Sequence, residues 1–136
     1  DEERMKRKEH YVDVLKNLRS NMIDDFNEYE IYNIKEVDNR FVQIGLSLMI
    51  GDLKVNFHIE YDANIIESNK CLYYGIICSK AYKDAYDKTC KMFDDYKHTN
   101  MMQDADNWPI WAYKNEGEIY ESFKALVQYA QELNNK

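Results

Sequence analysis

From Val42 to Tyr61 apolar and polar residues alternate almost without error. Val42, Ile44, Leu46, Leu48 and Ile50 are separated by Gln43, Gly45, Ser47 and Met49. Beyond Gly51-Asp52 the alternation resumes, with Leu53, Val55, Phe57, Ile59 and Tyr61 set against Lys54, Asn56, His58 and Glu60. A period of two sends the two sets to opposite faces of a strand. A two-residue Gly-X connection fits a type II′ turn, which pairs Ile50 with Leu53 and Leu48 with Val55. In that register each apolar residue faces another, and a slip by one would expose the whole set. The pattern predicts a β-hairpin with one apolar face that helices must cover.

Helical spacing appears on either side. Between about Lys6 and Tyr29 the residues Tyr11, Leu15, Leu18, Met22, Phe26 and Tyr29 recur at steps of three and four, one face of an amphipathic helix. Glu30 to Glu36 predicts a short edge strand, and Asp38-Asn39 a turn. Asp62 to Lys70 is a loop, followed by a strand from Cys71 to Cys78 that is apolar on both sides, as in a central strand. Ser79 is an N-cap candidate for a second helix running to about Tyr96. Asp104 to Asn107 predicts a polar turn, and Pro109 holds the segment from Trp108 to Lys114 extended. Asn115 and Glu118 have capping-box spacing, opening a last helix that buries Ile119, Phe123, Leu126, Val127, Ala130 and Leu133. The expected fold is therefore a single α+β domain over residues 1–136. It has an antiparallel sheet of three to four strands around a central hairpin, in the order α-β-β-β-β-α-(β)-α, packed by the N-terminal and C-terminal helices. The chain opens on Asp1 rather than Met, inside a helical pattern, as a fragment of a longer protein would.

Composition narrows the chemistry. At 136 residues and 45% hydrophobic the chain is long and apolar enough for one core, and no apolar run approaches the roughly 18–20 residues of a membrane span. The net charge of −7 weighs against non-specific nucleic-acid binding, which needs clustered Lys and Arg. The one basic cluster, Arg4, Lys6, Arg7 and Lys8, is flanked by Asp1, Glu2, Glu3 and Glu9, as on a solvated helix end. Cys71, Cys78 and Cys90 are odd in number and lack C-x-x-C spacing, which favours reduced thiols and a cytoplasmic location.

No constellation for catalysis emerges. The three histidines sit far apart with no i, i+4 partner, so no metal site, cofactor or catalytic residue is expected. His58 and Glu60 share the polar face of the hairpin, where a ligand site competes with the simpler role of a half-solvated sheet surface. Asp52-Leu53-Lys54 has the D-x-K spacing with which nucleases hold a divalent cation, but Asp52 falls in the turn and faces no second carboxylate. Trp108-Pro109-Ile110-Trp111 is the most distinctive string. Such aromatics can stack bases or sugars, yet two large rings beside a sheet more often serve as its lid. Tyr73, Tyr74, Tyr82, Tyr86, Tyr113 and Tyr120 are amphipathic side chains of the kind enriched at protein interfaces.

Three strings carry a resemblance. Leu53-Lys-Val-Asn-Phe-His-Ile-Glu-Tyr61, Leu72-Tyr-Tyr-Gly-Ile76 and Trp108-Pro-Ile-Trp111 together resemble the C-terminal half of bacterial PD-(D/E)XK nuclease-superfamily proteins, over about Tyr11 to Leu133. In those proteins the acidic and E-x-K strands lie upstream, so no family catalytic residue maps onto a position here. The resemblance implies a non-catalytic recognition or protein-interaction domain of a nuclease-like bacterial or phage protein. A small acidic inhibitor of immunity, antitoxin or anti-defence type is the alternative, suited to the charge, the size and the tyrosines. In either case the expected partner is a protein, nucleic acid is disfavoured, and no membrane is involved. The expected docking face is the polar side of the hairpin, with Gln43, Lys54, Asn56, His58 and Glu60. The helix after Ser79 is the rival cover for that face.

Overall fold

The computed structural model describes residues 1–136. Helix α1 (Glu2–Asp25) is followed by strands β1 (Glu30–Ile31), β2 (Lys35–Val37), β3 (Phe41–Ile50), β4 (Leu53–Asp62) and β5 (Leu72–Ile77). Helices α2 (Lys83–Met92) and α3 (Asp94–Thr99), strands β6 (Gln103–Ala105) and β7 (Trp108–Tyr113), and helix α4 (Ile119–Asn134) complete the chain. No helix is long and apolar enough to cross a membrane.

The hairpin forms as the alternation predicts. Ile50 pairs with Leu53, Leu48 with Val55 and Leu46 with Phe57. Gly51 has φ +61 while Asp52 keeps a negative φ, the pattern of a type II′ turn. At the other end of β3, Asp38 and Asn39 both take positive φ and the Arg40 N–H donates to the Val37 carbonyl. That is the I′ arrangement, and it returns β2 onto β3 with the correct twist.

Seven antiparallel strands make one sheet in the order β1-β3-β4-β5-β7-β6, with β2 beside β1 on the same edge of β3. This exceeds the three to four strands expected. The stretch after α1 breaks into two short strands, β7 joins the sheet against β5, and β6 adds an edge whose residues are all exposed and carry no apolar alternation.

The helices gather on one face. Leu15, Leu18, Met22 and Phe26 from α1 and its C-cap, with Ile119, Phe123, Leu126, Val127 and Ala130 from α4, bury against Leu46, Phe57, Ile59, Tyr61, Leu72 and Ile76. Tyr11 stacks on Tyr61 with ring centroids 4.5 Å apart, and α1 packs chiefly over β3. Phe93, between α2 and α3, meets Phe57 edge-on at 6.4 Å and Tyr129 of α4 at 5.8 Å. The single second helix expected from Ser79 to Tyr96 is thus divided where Phe93 enters the core.

Both proposed caps are corrected. The Ser79 hydroxyl accepts from the Ala81 N–H at 3.2 Å and closes a local turn, so α2 begins at Lys83 after Tyr82. The Asn115 carbonyl accepts from both Glu118 and Ile119, so backbone bonds replace the capping box and α4 starts at Ile119. Helix α1 lies four residues earlier than expected, capped by Asp1, whose carboxylate accepts from Arg4 N at 2.7 Å. The polar turn shrinks to Asp106-Asn107, because Asp104 and Ala105 belong to β6.

Phe57 is fully buried at the centre of this packing. Phe57→Ala should cost about 3–5 kcal/mol in urea denaturation. Met49→Ala, on the exposed side of the same hairpin, should fall within about 0.5 kcal/mol of the parent.

Candidate functional site

The face of the sheet opposite the helices carries rows of cross-strand neighbours. One row reads Gly45, His58, Gly75, Trp111 across β3, β4, β5 and β7; the next reads Gln43, Glu60, Tyr73, Tyr113. Asp62 follows Glu60 on the same face, paired with Phe41. The two glycines beside His58 have no room for a side chain: a Cβ on Gly45 would sit 2.2 Å from the Phe57 carbonyl oxygen, and one on Gly75 would sit 2.0 Å from that of Ile110. Rings from other positions fill the lateral space instead.

Tyr32 reaches in from the β1–β2 edge. Its N–H donates to the Gly45 carbonyl at 2.8 Å, its hydroxyl donates to Asn56 Oδ1, and its ring lies 5.8 Å from the His58 ring. Trp108 arrives from the other side, 6.3 Å from His58 and 5.6 Å from Tyr73. By simple alternation Trp108 would share the inner face with Ile110. Gln103 pairs with Trp111 but Ala105 pairs with Trp108, so β7 holds one residue more than β6 between the two pairings. That bulge reverses the parity and puts both tryptophans on the outer face. The lid expected over the core is therefore an aromatic strip on the opposite side of the sheet. Tyr73 contacts Trp111 at 6.1 Å and Tyr113 at 6.2 Å, and Trp111 meets Tyr113 at 4.9 Å, all edge to face.

This cover changes the character of the polar residues. The side chains of His58 and Glu60 are only 14% and 5% exposed, with His58 Nδ1 3.7 Å from Glu60 Oε1 and without a hydrogen-bond partner. The half-solvated surface expected for this pair is instead a closed one. Helix α2 does not cover His58, whose neighbouring rings are Tyr32 and Trp108. The helix borders this face only at its far end, where Tyr82 and Ala85 line a hollow with Lys54 and Asn56, while the Tyr86 hydroxyl donates to the Ala105 carbonyl at the β6 edge. Asp62 is also buried and accepts from Arg40 Nε and a terminal guanidinium nitrogen, each at 2.9 Å, and from the Asn64 N–H. The Arg40 guanidinium also lies 4.6 Å from the Phe41 ring centroid. Burial, then the neighbouring Glu60 and Asp62 charges, push the Tyr73 hydroxyl far above its ordinary pKa.

Of the five expected docking residues, Gln43, His58 and Glu60 lie together. Gln43 and His58 line a hollow of about 280 Å³ with Tyr32, Asn33, Lys35 and Ile44. Asn56 adjoins them through Tyr32, whereas Lys54 is exposed near the hairpin tip, 4.0 Å from Glu30. A second hollow of about 230 Å³ is lined by Asp62, Tyr73, Ala105, Trp108, Trp111 and Tyr113. Tyr73, Trp111 and Tyr113 share the outer face by alternation, and Trp108 joins them only through the bulge. The parity of Tyr73 opposite Leu72, Tyr74 and Ile76, and of Trp111 and Tyr113 opposite Ile110, signals three of the rings in the sequence.

The remaining candidates stay apart. Asp52 is exposed in the turn, and Lys54 stands across from Met49. The three cysteines are unpaired, and no group of three His, Cys, Asp or Glu side chains is placed to hold a metal ion. No protein-family model, curated protein sequence or solved structure matches the chain.

Two measurements test this geometry. Gly75→Ala should lower stability by about 1–3 kcal/mol, since the added carbon meets backbone rather than a movable side chain. It should also change the emission of Trp111, whose Cα would lie 2.7 Å from that carbon. Alkaline titration reports the buried tyrosines. Burial pushes Tyr74 up to about 12, and Tyr73 is raised further. A raised folded pKa stabilises the protein fully below the unfolded value of about 10 and loses that contribution as pH climbs through the folded value. Tyrosinate absorbance should therefore rise in two phases, the later one with loss of structure, and in a single phase in urea.

Proposed function

We propose that this chain is a non-catalytic recognition module that binds a protein partner through the outer face of its sheet. The observation that carries the proposal is the continuous run of rings from Tyr32 through His58, Trp108, Tyr73 and Trp111 to Tyr113, on the sheet face opposite α1 and α4. Tryptophan and tyrosine supply large contact areas at low entropic cost, and interface centres are enriched in them. The resemblance to the C-terminal half of PD-(D/E)XK nuclease-superfamily proteins supports the same assignment, as the recognition part of a nuclease-like protein. The net charge of −7 favours a second version, a small acidic inhibitor that blocks its partner by occupying it.

The test is site-specific photocrosslinking in cells of the source organism, with benzoylphenylalanine in place of Tyr113 or of Gln128 on the exposed side of α4. Position 113 should give one adduct of defined mass that Trp108→Ala abolishes, and position 128 none. Assaying the captured protein with and without the chain then separates recognition from inhibition. Adducts from position 128 alone, or none from 113, would place the binding surface elsewhere.

A further inference from the structure

We propose that the hollow between Tyr73, Trp108, Trp111 and Tyr113 is an aromatic cage for an alkylated ammonium group. This inference rests on the outer face being the binding surface and gives that surface a ligand chemistry. Tyr73, Trp111 and Tyr113 stand nearly perpendicular to one another, at 75° for Tyr73–Trp111 and 88° for both Tyr73–Tyr113 and Trp111–Tyr113, and Trp108 stands at 73° to Tyr73. Rings in mutually perpendicular planes can turn several π faces towards one point, and such faces attract a cation. At about 230 Å³ the hollow is smaller than a typical drug-sized pocket and suits a compact head group.

The local charge selects the sign. Asp62 lines the hollow, and Glu60 lies behind it as the cross-strand partner of Tyr73. Arg40 neutralises Asp62 through two hydrogen bonds, whereas Glu60 has no cationic partner beyond the His58 ring and lies beside the Tyr73 hydroxyl. The same face already holds one cation against a ring, Arg40 over Phe41. The hydrogen-bonding state selects the alkylated form. The Asp62 carboxylate is occupied by Arg40 and by the Asn64 N–H, so the hollow offers π faces and a negative field but no free carboxylate to meet several N–H donors. A methylated ammonium has a charge without that requirement. A sugar would need several polar partners beside its ring and would find few.

The chain's only two tryptophans are walls of the hollow, so their fluorescence is a direct readout. The probes are choline, its uncharged isostere 3,3-dimethylbutan-1-ol, and short peptides carrying lysine or trimethyllysine. Choline or the trimethyllysine peptide should give a saturable change, about tenfold tighter than the isostere or the unmodified peptide. Which of the two binds more tightly distinguishes a free quaternary amine from a side chain. Trp111→Ala should abolish the response, and Glu60→Gln, the milder change, should weaken it severalfold with the far-ultraviolet spectrum intact. Equal binding of choline and its isostere, or no saturable response to either cation, overturns the cage. A specific adduct at position 113 together with no cation response removes this inference alone and leaves the recognition surface standing.

Discussion

The parity of the β3–β4 hairpin is the constraint on which the other elements depend. Ten consecutive pairings, from Phe41 with Asp62 to Ile50 with Leu53, commit every odd or even position of both strands to one side. Turns with positive φ, at Gly51 on one end of β3 and at Asp38-Asn39 on the other, pin that register. Once Leu46, Phe57 and Ile59 point inward, only apolar helix faces can cover them, and α1 and α4 supply those faces. The opposite positions, among them Gln43, His58, Glu60 and Asp62, are then turned away from every long helix. Core and candidate site are thus two consequences of one alternation.

The outer face meets a problem of its own, because it buries two carboxylates and an imidazole without a helix above them. A buried ion is costly unless it is paired or kept partly hydrated. Asp62 meets the condition through Arg40 and Asn64 N. Glu60 does so less completely, with His58 Nδ1 at 3.7 Å as its only charged-pair candidate. The cover is made of aromatic rings, whose edges and faces pack around polar groups more tolerantly than branched aliphatics. At Gly45 and Gly75 the neighbouring strands' backbone leaves no room for a side chain, and the rings beside His58 are those of Tyr32 and Trp108.

Much of the fold was legible because it rests on periodicity. The hairpin, its turn, the β5 strand and the buried faces of α1 and α4 all follow from spacings of two or of three and four. What escaped depends on partners distant in sequence. Strand β6 exists because β7 offers it an edge, and its own residues, Gln103, Asp104 and Ala105, carry no strand signal. The helix after Ser79 divides at Phe93 because Phe57 and Tyr129 draw that ring inward. The site was half legible for the same reason. Gln43, His58 and Glu60 follow from hairpin parity, but Lys54 shares their face and lies too far along it to join them.

The tryptophans show the limit most sharply. A spacing of three within a strand places two residues on opposite faces, so Trp108 and Trp111 read as one ring inward and one outward. One extra residue in β7 reverses that, and nothing in Trp-Pro-Ile-Trp announces a bulge except the proline, which cannot donate to the ladder and is tolerated at such irregularities. The bulge therefore converts a string that would have split between core and surface into two walls of a single hollow. Its distinctive structural product is the convergence of both indoles on Tyr73, which is why we propose the outer face, rather than the hairpin tip or the α1 surface, as the recognition surface.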